Sequence, residues 1–368
     1  MKKKVFIAKY PPARFVKCFE YLRFFLTQLA RKITVPNMII MEMTQGFYVS
    51  KAIGTAAELN LAEHLKDGDK NIAALAKLTN THENSLYRLM RMLVSQGVFK
   101  EKSHRVFSQN RLSRALLNKQ ESMRYMTFHM VNVVNWNLFG ELKSVVETGE
   151  NAATKVLNMD VFSYLEANPE KNEIYNRAMS NSSVLLSQAV VSEYNFKNAK
   201  YIIDIGGGHG VLLSIILHMN KHLKGTVFDL PHVVEGANEN FDKYEVRNQA
   251  ETVSGNFSEV VPEGGDIYLM KSIVHFLDDE QSIALLKKIK TILPEKGKVL
   301  LIEAIVENNS MYSFAKLLDI QMMVGTKGGK ERTYKEYKLL VEKAGFNIKR
   351  VVKTVAPISI IELVHINS

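Results

Sequence analysis

Three side chains late in the chain have the types that proton chemistry needs, and two of them stand where an apolar run ends. His275 closes Met270-Lys271-Ser272-Ile273-Val274-His275, and Glu303 closes Leu300-Leu301-Ile302-Glu303. Glu331 lies in the glycine turn Gly328-Gly329-Lys330-Glu331-Arg332-Thr333. A histidine titrating near neutrality suits the removal of a proton from a hydroxyl. A carboxylate on its other ring nitrogen would fix the tautomer and stabilise the imidazolium that forms. Each residue also has a plainer reading: a satisfied structural histidine, a salt-bridge acid, and an acid at a helix start. No H-x-x-x-H or C-x-x-C spacing is read in the chain, so no metal site is expected.

A second set could hold a nucleoside. Residues 201–230 run from an apolar segment ending in Asp204, through Gly206-Gly207-Gly208-His209-Gly210, into an apolar helix-like stretch and a second apolar run ending in Asp229. Glycines let the backbone turn tightly and approach a ligand that a Cβ would block. The helix start behind them offers unpaired N–H groups. An acid about twenty residues on can accept hydrogen bonds from ribose hydroxyls. The dinucleotide fingerprint fails in both frames, at Val211 and at Leu213, and no Gly-Lys-Ser/Thr follows for a P-loop. What remains is D-x-G-x-G-x-G, which resembles the S-adenosylmethionine (SAM) pattern of Rossmann-like methyltransferases.

These groups need a frame. Strand-like runs recur at 200–205, 226–230, 251–254, 266–270, 298–303, 347–352 and 358–364. Five alternate with helical stretches, which predicts a parallel sheet. The last two are joined by a short turn containing Pro357, which predicts a terminal antiparallel hairpin. The expected fold class is α/β: a Rossmann-like, seven-stranded, mostly parallel sheet with a C-terminal antiparallel hairpin. Open α/β sheets bind ligands at the carboxyl ends of their strands, so the histidine, the acids and the glycine turn would share one rim.

Upstream, Leu86, Leu89, Met90 and Leu93 follow helical spacing within 82–96, Gly97 is a stop, and 98–107 alternates as a hairpin. Residues 36–110 therefore read as a winged-helix-like domain, which would serve in dimerisation or cover a substrate pocket. Arg88 and Arg91 would suit DNA, but Tyr87, Leu89, Met90 and Met92 make that helix too apolar for a groove reader, so nucleic acid is not the expected partner. Residues 111–195, with Trp136, read as a helical linker and pocket helices, and 196–368 as the cofactor-binding domain.

The 368 residues suffice for two domains and a large core. The single cysteine, Cys18, permits no internal disulfide and fits a reducing, cytoplasmic setting. No run of 18 apolar residues spans a membrane. Lys9, Pro11, Pro12 and Arg14 interrupt any signal-peptide core. The net charge of +10 is spread along the chain, with some concentration in a basic leader, residues 1–35. There Phe15, Phe19, Leu22, Leu26 and Leu29 can share one helix face beside Arg14, Lys17, Arg23, Arg31 and Lys32. Membrane-surface contact is one reading; packing on the protein body or on a second subunit is the expected one.

Taken together, the chain resembles the SAM-dependent O-methyltransferases of the caffeate, hydroxyindole and bacterial polyketide type. The resemblance runs from about residue 37 to the end. It rests on DIGGGHG (204–210), FDLPHVV (228–234), MKSIVH (270–275), GKVLLIE (297–303), GGKERT (328–333) and APISIIE (356–362). It implies a homodimer, SAM without a metal, and a small, aromatic hydroxyl acceptor. By position, Asp204, Gly206, Gly208, Asp229 and Leu230 would contact SAM, with Asp229 on the ribose. Asn256 and Phe257 would border the adenine, and Lys271 would lie beside the cofactor. His275 would be the general base and Glu303 and Glu331 would hold its imidazole. Met179, Met322, Met323 and Thr326 would line the acceptor pocket.

The chain departs from the family at Asn256, where an acid is usual, and at Phe276 and Leu277, which replace an acid and a tryptophan. Thr326 stands where plant phenolic members carry asparagine. A second reading stays open: a methyltransferase-like protein with altered catalysis, acting as a ligand- or DNA-binding regulator. A third keeps SAM but couples methylation to decarboxylation or hydroxylation.

Overall fold

The computed structural model describes residues 11, 13–119 and 121–366, with the side chain of Arg14 left aside. Residues 1–10 and 12 of the leader lie outside the described residues. The chain forms two compact units. One comprises residues 25–137 and 168–182; the other comprises 138–167, 183–366 and the described residues up to Phe24. The helical stretch expected at 111–195 is thus divided between them.

In the first unit, β1 (Lys70–Asn71), β2 (Lys100–Ser103) and β3 (Val106–Ser108) form an antiparallel sheet in the order β1-β3-β2. The helices Ile72–Thr79 and Glu83–Ser95 precede the β2–β3 hairpin, which is the winged-helix order. Gly97 takes the left-handed conformation that ends the second helix, at φ 74°. Leu75, Leu86, Met90, Leu93, Phe99 and Phe107 are buried together, so the spacing of Leu86, Met90 and Leu93 does mark the inner face. Upstream, the helix Pro36–Thr44 buries none of its residues.

In the other unit seven strands form one sheet: β4 (Tyr201–Ile205), β5 (Lys224–Asp229), β6 (Ala250–Ser254), β7 (Ile267–Lys271), β8 (Lys298–Glu303), β11 (Phe346–Lys353) and β12 (Ser359–His365). Two short segments, β9 (Ile305–Val306) and β10 (Arg332–Thr333), pair in parallel beside it. The order is β11-β12-β8-β7-β4-β5-β6. The first five sheet strands pair in parallel, and β11 and β12 are antiparallel. Side chains alternate between two cores: Ile202, Leu269, Leu300 and Ile302 join one; Ile203, Ile205, Met270 and Leu301 join the other. Both faces are covered, as a parallel sheet requires.

The order fixes the functional edge. After β4 the chain crosses to β5 on one side, and β7 and β8 lie on the other. The switch point therefore falls between β4 and β7. Ile205 pairs with Met270, and Lys271 pairs with Ile302. The glycine turn, the His275 segment and Glu303 consequently leave the sheet as neighbours at one carboxyl edge.

Candidate active site

After Asp204 the chain reverses through Gly206, Gly208 and Gly210 at φ 64°, 56° and 67°. A Cβ on Gly206 would run into Ile273 and lie 3.9 Å from Phe257. Asp229, ending β5, accepts the N–H groups of Gly208 at 2.7 Å and Leu230 at 2.8 Å. A carboxylate offers about four lone-pair sites, which leaves capacity for two ribose hydroxyls. Asp204 is buried, and its Oδ2 has no partner among the described residues. Burial pushes its carboxyl up to about 7, against the pull of Lys271. Lys271 itself is held below its usual value by desolvation, opposed by Asp204 and Glu303. Asn256 turns the next loop by accepting the Ser258 N–H and hydroxyl at 2.9 and 2.8 Å. The glycine cradle and the free lone pairs of Asp229 beside it leave room for a polar ligand.

His275 sits in the one-turn 3₁₀ helix Val274–Phe276 and is 4% exposed. Its Nδ1 lies 2.6 Å from Glu331 Oε1 and 3.8 Å from Glu303 Oε2. Glu331 therefore makes the direct bond. Glu303 acts one step back, with Oε1 accepting the N–H groups of Ile273 at 3.0 Å and Val274 at 2.9 Å. The other ring nitrogen, Nε2, is buried without a partner among the described residues. Backbone ties complete the seat: Lys330 N–H donates to His275 O at 2.9 Å. A Cβ on Gly329 would come 2.7 Å from that same oxygen, so the close approach of the two turns requires glycine there.

Burial holds the His275 imidazolium below its usual pKa, with Glu303 pulling the other way. Glu303 is pushed up to about 7 by burial and Glu331 up to about 8, the latter by burial and then by the charge of Asp319. Two acids and an imidazole in one dry space cannot all be charged, so protons are shared among them. The three residues also place one ligand atom each within 4.8 Å of one another.

Phe276 packs edge-on between His275 and Phe162, with ring centroids 4.3 and 5.3 Å away. Leu277 packs partly buried against the same core as Met270 and Leu301. On the helix Phe314–Gly325, Met322 is buried and Met323 half-buried. The Thr326 hydroxyl is spent on Met322 O at 2.7 Å. Met179 belongs to the other unit, half-buried on the helix Pro169–Glu193.

Two residues escaped the sequence reading. Asp319 accepts the Glu331 N–H at 2.9 Å, and Arg332 is fully buried beside it. An arginine next to a candidate acid was a visible signal, but strand alternation would have sent the two side chains apart. One spacing contradicts the sequence expectation: His218 and His222 do form an H-x-x-x-H pair, but their rings go to different carbonyls, Tyr244 O and Lys197 O.

A family model described as O-methyltransferase domain matches residues 139–347, and one described as O-methyltransferase dimerisation domain matches 41–119. The chain belongs to the O-methyltransferase family. The phenazine O-methyltransferase PhzM of Lysobacter antibioticus is 33% identical over 339 residues, covering 92% of this chain and 99% of that protein. The crystal structure of LaPhzM matches with TM-score 0.86 at 32% identity, covering 90% of this chain and all of that one. CalO1, a methyltransferase in calicheamicin biosynthesis solved in its SAH-bound form, matches with TM-score 0.80 at 26% identity, covering 90% and 98%.

As a family member the chain is a SAM-dependent O-methyltransferase, and its dimerisation domain supports a homodimer. No described helix of this O-methyltransferase is long and apolar enough to cross a membrane.

Proposed function

We propose that this O-methyltransferase methylates the hydroxyl of a small, flat aromatic molecule, with His275 as general base and without a metal. The observation that carries this reading is the 2.6 Å contact between Nδ1 and Glu331. When Nδ1–H donates to the carboxylate, Nε2 presents its lone pair to the acceptor hydroxyl. SAM, when bound, supplies an electrophilic methyl group on a sulfonium. Asp229 would hold its ribose, Gly206 and Gly208 would admit the backbone close to it, and Asn256 and Phe257 would border the adenine. His275 takes the hydroxyl proton onto Nε2, and Glu331 stabilises the imidazolium that results. Positioning supplies much of the remaining acceleration.

Phe162, Phe276, Met322 and Met323 give the acceptor side apolar and polarisable surfaces suited to an aromatic ring. The relatives named for phenazine and calicheamicin biosynthesis support such an acceptor. Against a metal, Nδ1 is already committed to Glu331 and one Glu303 oxygen to two N–H groups.

The test has two arms. Calorimetry with S-adenosylhomocysteine should give micromolar binding near one per chain. Methyl transfer from labelled SAM to a panel of hydroxyphenazines, hydroxyindoles, hydroxybenzoates and naphthols should show turnover that a chelator leaves unchanged. Absent binding would favour the regulator reading. Binding with transfer abolished by chelation would refute the metal-free mechanism.

A further inference from the structure

Glu303 satisfies the amide side of the His275 turn; the carbonyl side is satisfied by a charge. The Arg332 guanidinium is 0% exposed. Its Nη1 donates to Val274 O at 2.9 Å and its Nη2 to Leu277 O at 2.8 Å. Its Nε and Nη2 also reach Asp279 Oδ1 at 3.0 and 2.8 Å. Val274 precedes the histidine by one residue and Leu277 follows it by two, so one planar group spans the base. A single 3₁₀ turn has little hold on its own shape. Here the turn also starts from Ser272 at φ 57°, a left-handed conformation that costs a non-glycine residue energy.

We propose that Arg332 is a positioning residue for the general base: its fork, anchored by Asp279, ties the backbone on both sides of His275 and thereby aims Nε2. Burying a guanidinium is costly, and a neutral donor could satisfy one carbonyl. Only the arginine fork meets two carbonyls and a carboxylate at once; a lysine keeps the charge but not the geometry.

The charge has its own consequence. The groups facing His275 are Glu303 at the end of β8, Glu331 ahead of β10, Lys271 at the end of β7, and Arg332 in β10. The hydroxyl of Tyr337, on the helix Tyr334–Lys343, is buried among charges that include Glu303 and Glu331. The positive charges of Lys271 and Arg332 disfavour the imidazolium and Glu303 favours it. Arg332 thus aims the base and also helps to keep it neutral.

The inference rests on His275 being the base, and the experiment separates the two. Arg332→Lys and Arg332→Met would be made in the wild-type and His275→Ala backgrounds and assayed with the fastest acceptor of the panel. Arg332→Lys should lower kcat about 10–100-fold, the scale of a small misplacement of a catalytic group. It should leave S-adenosylhomocysteine affinity within about twofold and the pH limb of kcat in place. Arg332→Met should also move that limb upward, because the imidazolium loses a repelling charge.

In the His275→Ala background neither change should lower the residual rate further. If Arg332→Met fails to fold, Asp279→Ala, which unpins the fork, should give a smaller loss of kcat with unchanged cofactor affinity. Ring nitrogen shifts of ¹⁵N-labelled His275 in the intact protein with S-adenosylhomocysteine need no acceptor. They should show one tautomer in wild type and a mixture in Arg332→Lys. Unchanged kcat and a single tautomer in Arg332→Lys, or an equal loss in both backgrounds, would overturn the proposal. Full kcat in His275→Ala would instead remove the base itself.

Discussion

Two turns leave adjacent strands at the same edge and are built in opposite ways. The turn after β4 is made of backbone: glycines in left-handed conformations and an acid, Asp229, that stands 21 residues beyond Gly208 and bonds its N–H. The turn after β7 is made of buried side chains brought from afar: Glu303 lies 29 residues from Val274, Glu331 56 from His275 and Arg332 58 from Val274. The first must leave room for a ligand, so it is built by removing side chains. The second, on the proposed reading, holds one imidazole still and controls its proton, and it is built by crowding charges around it. On the proposed reading, binding and chemistry therefore rest on separable residues of two neighbouring turns.

The largest effects should divide along that line. His275→Ala should lower kcat about 10²–10⁴-fold, the usual contribution of a positioned base, with S-adenosylhomocysteine binding retained. Full kcat in that variant would end the division of labour. Asp229→Ala should do the reverse, weakening S-adenosylhomocysteine about 10–100-fold through lost hydrogen bonds to a charged acceptor. The His275 ring tautomer should not change. Calorimetry showing wild-type affinity would remove Asp229 from the ribose.

A smaller effect sharpens the account of the base turn. Glu331→Gln removes the acid bonded to Nδ1, leaving Glu303 to favour the imidazolium against burial and the charges of Lys271 and Arg332. The acid limb of kcat should shift to lower pH than in wild type, with kcat at the plateau reduced about tenfold or more. A limb that stays put would mean that the proton titrating there does not belong to the His275–Glu331 pair.

The contrast between the turns also explains what could be read from the sequence. The glycine turn is local: spacing within seven residues shows the left-handed positions, and the seven strands follow from alternation and length to within about two residues. His275, Glu303 and Glu331 were visible as acids and a histidine at strand ends. Which acid touches the ring was not, because it depends on how two turns pack. Glu331 reaches Nδ1 only because Gly329 lets its segment lie against His275 O, and no periodicity encodes that approach. Asp319 and Arg332 escaped for the same reason. In the leader, Phe19, Leu22, Leu26 and Leu29 do lie on one long helix, Ala13–Ile33, yet remain about half exposed or more. Its apolar pattern was legible in the sequence.

A further effect concerns stability, and it belongs to the base turn alone. Glu303 is fully buried, and its carboxyl is pushed from 4.5 up to about 7. A folded-state pKa above the unfolded value means that the fold prefers the protonated acid. That contribution is full below about pH 4.5 and is lost as pH rises through about 7. In Glu303→Gln the amide oxygen can still accept the Ile273 and Val274 N–H groups, and the side chain never ionises. The variant should therefore match wild type in Tm near pH 5 and gain on it by pH 8.5, by at most about 3 kcal/mol. Asp229→Asn, at the partly exposed glycine turn, should show a weaker pH dependence. Equal Tm differences for Glu303→Gln at both pH values would mean that Glu303 keeps its charge in the fold, and that the crowding of the base turn is relieved by another group.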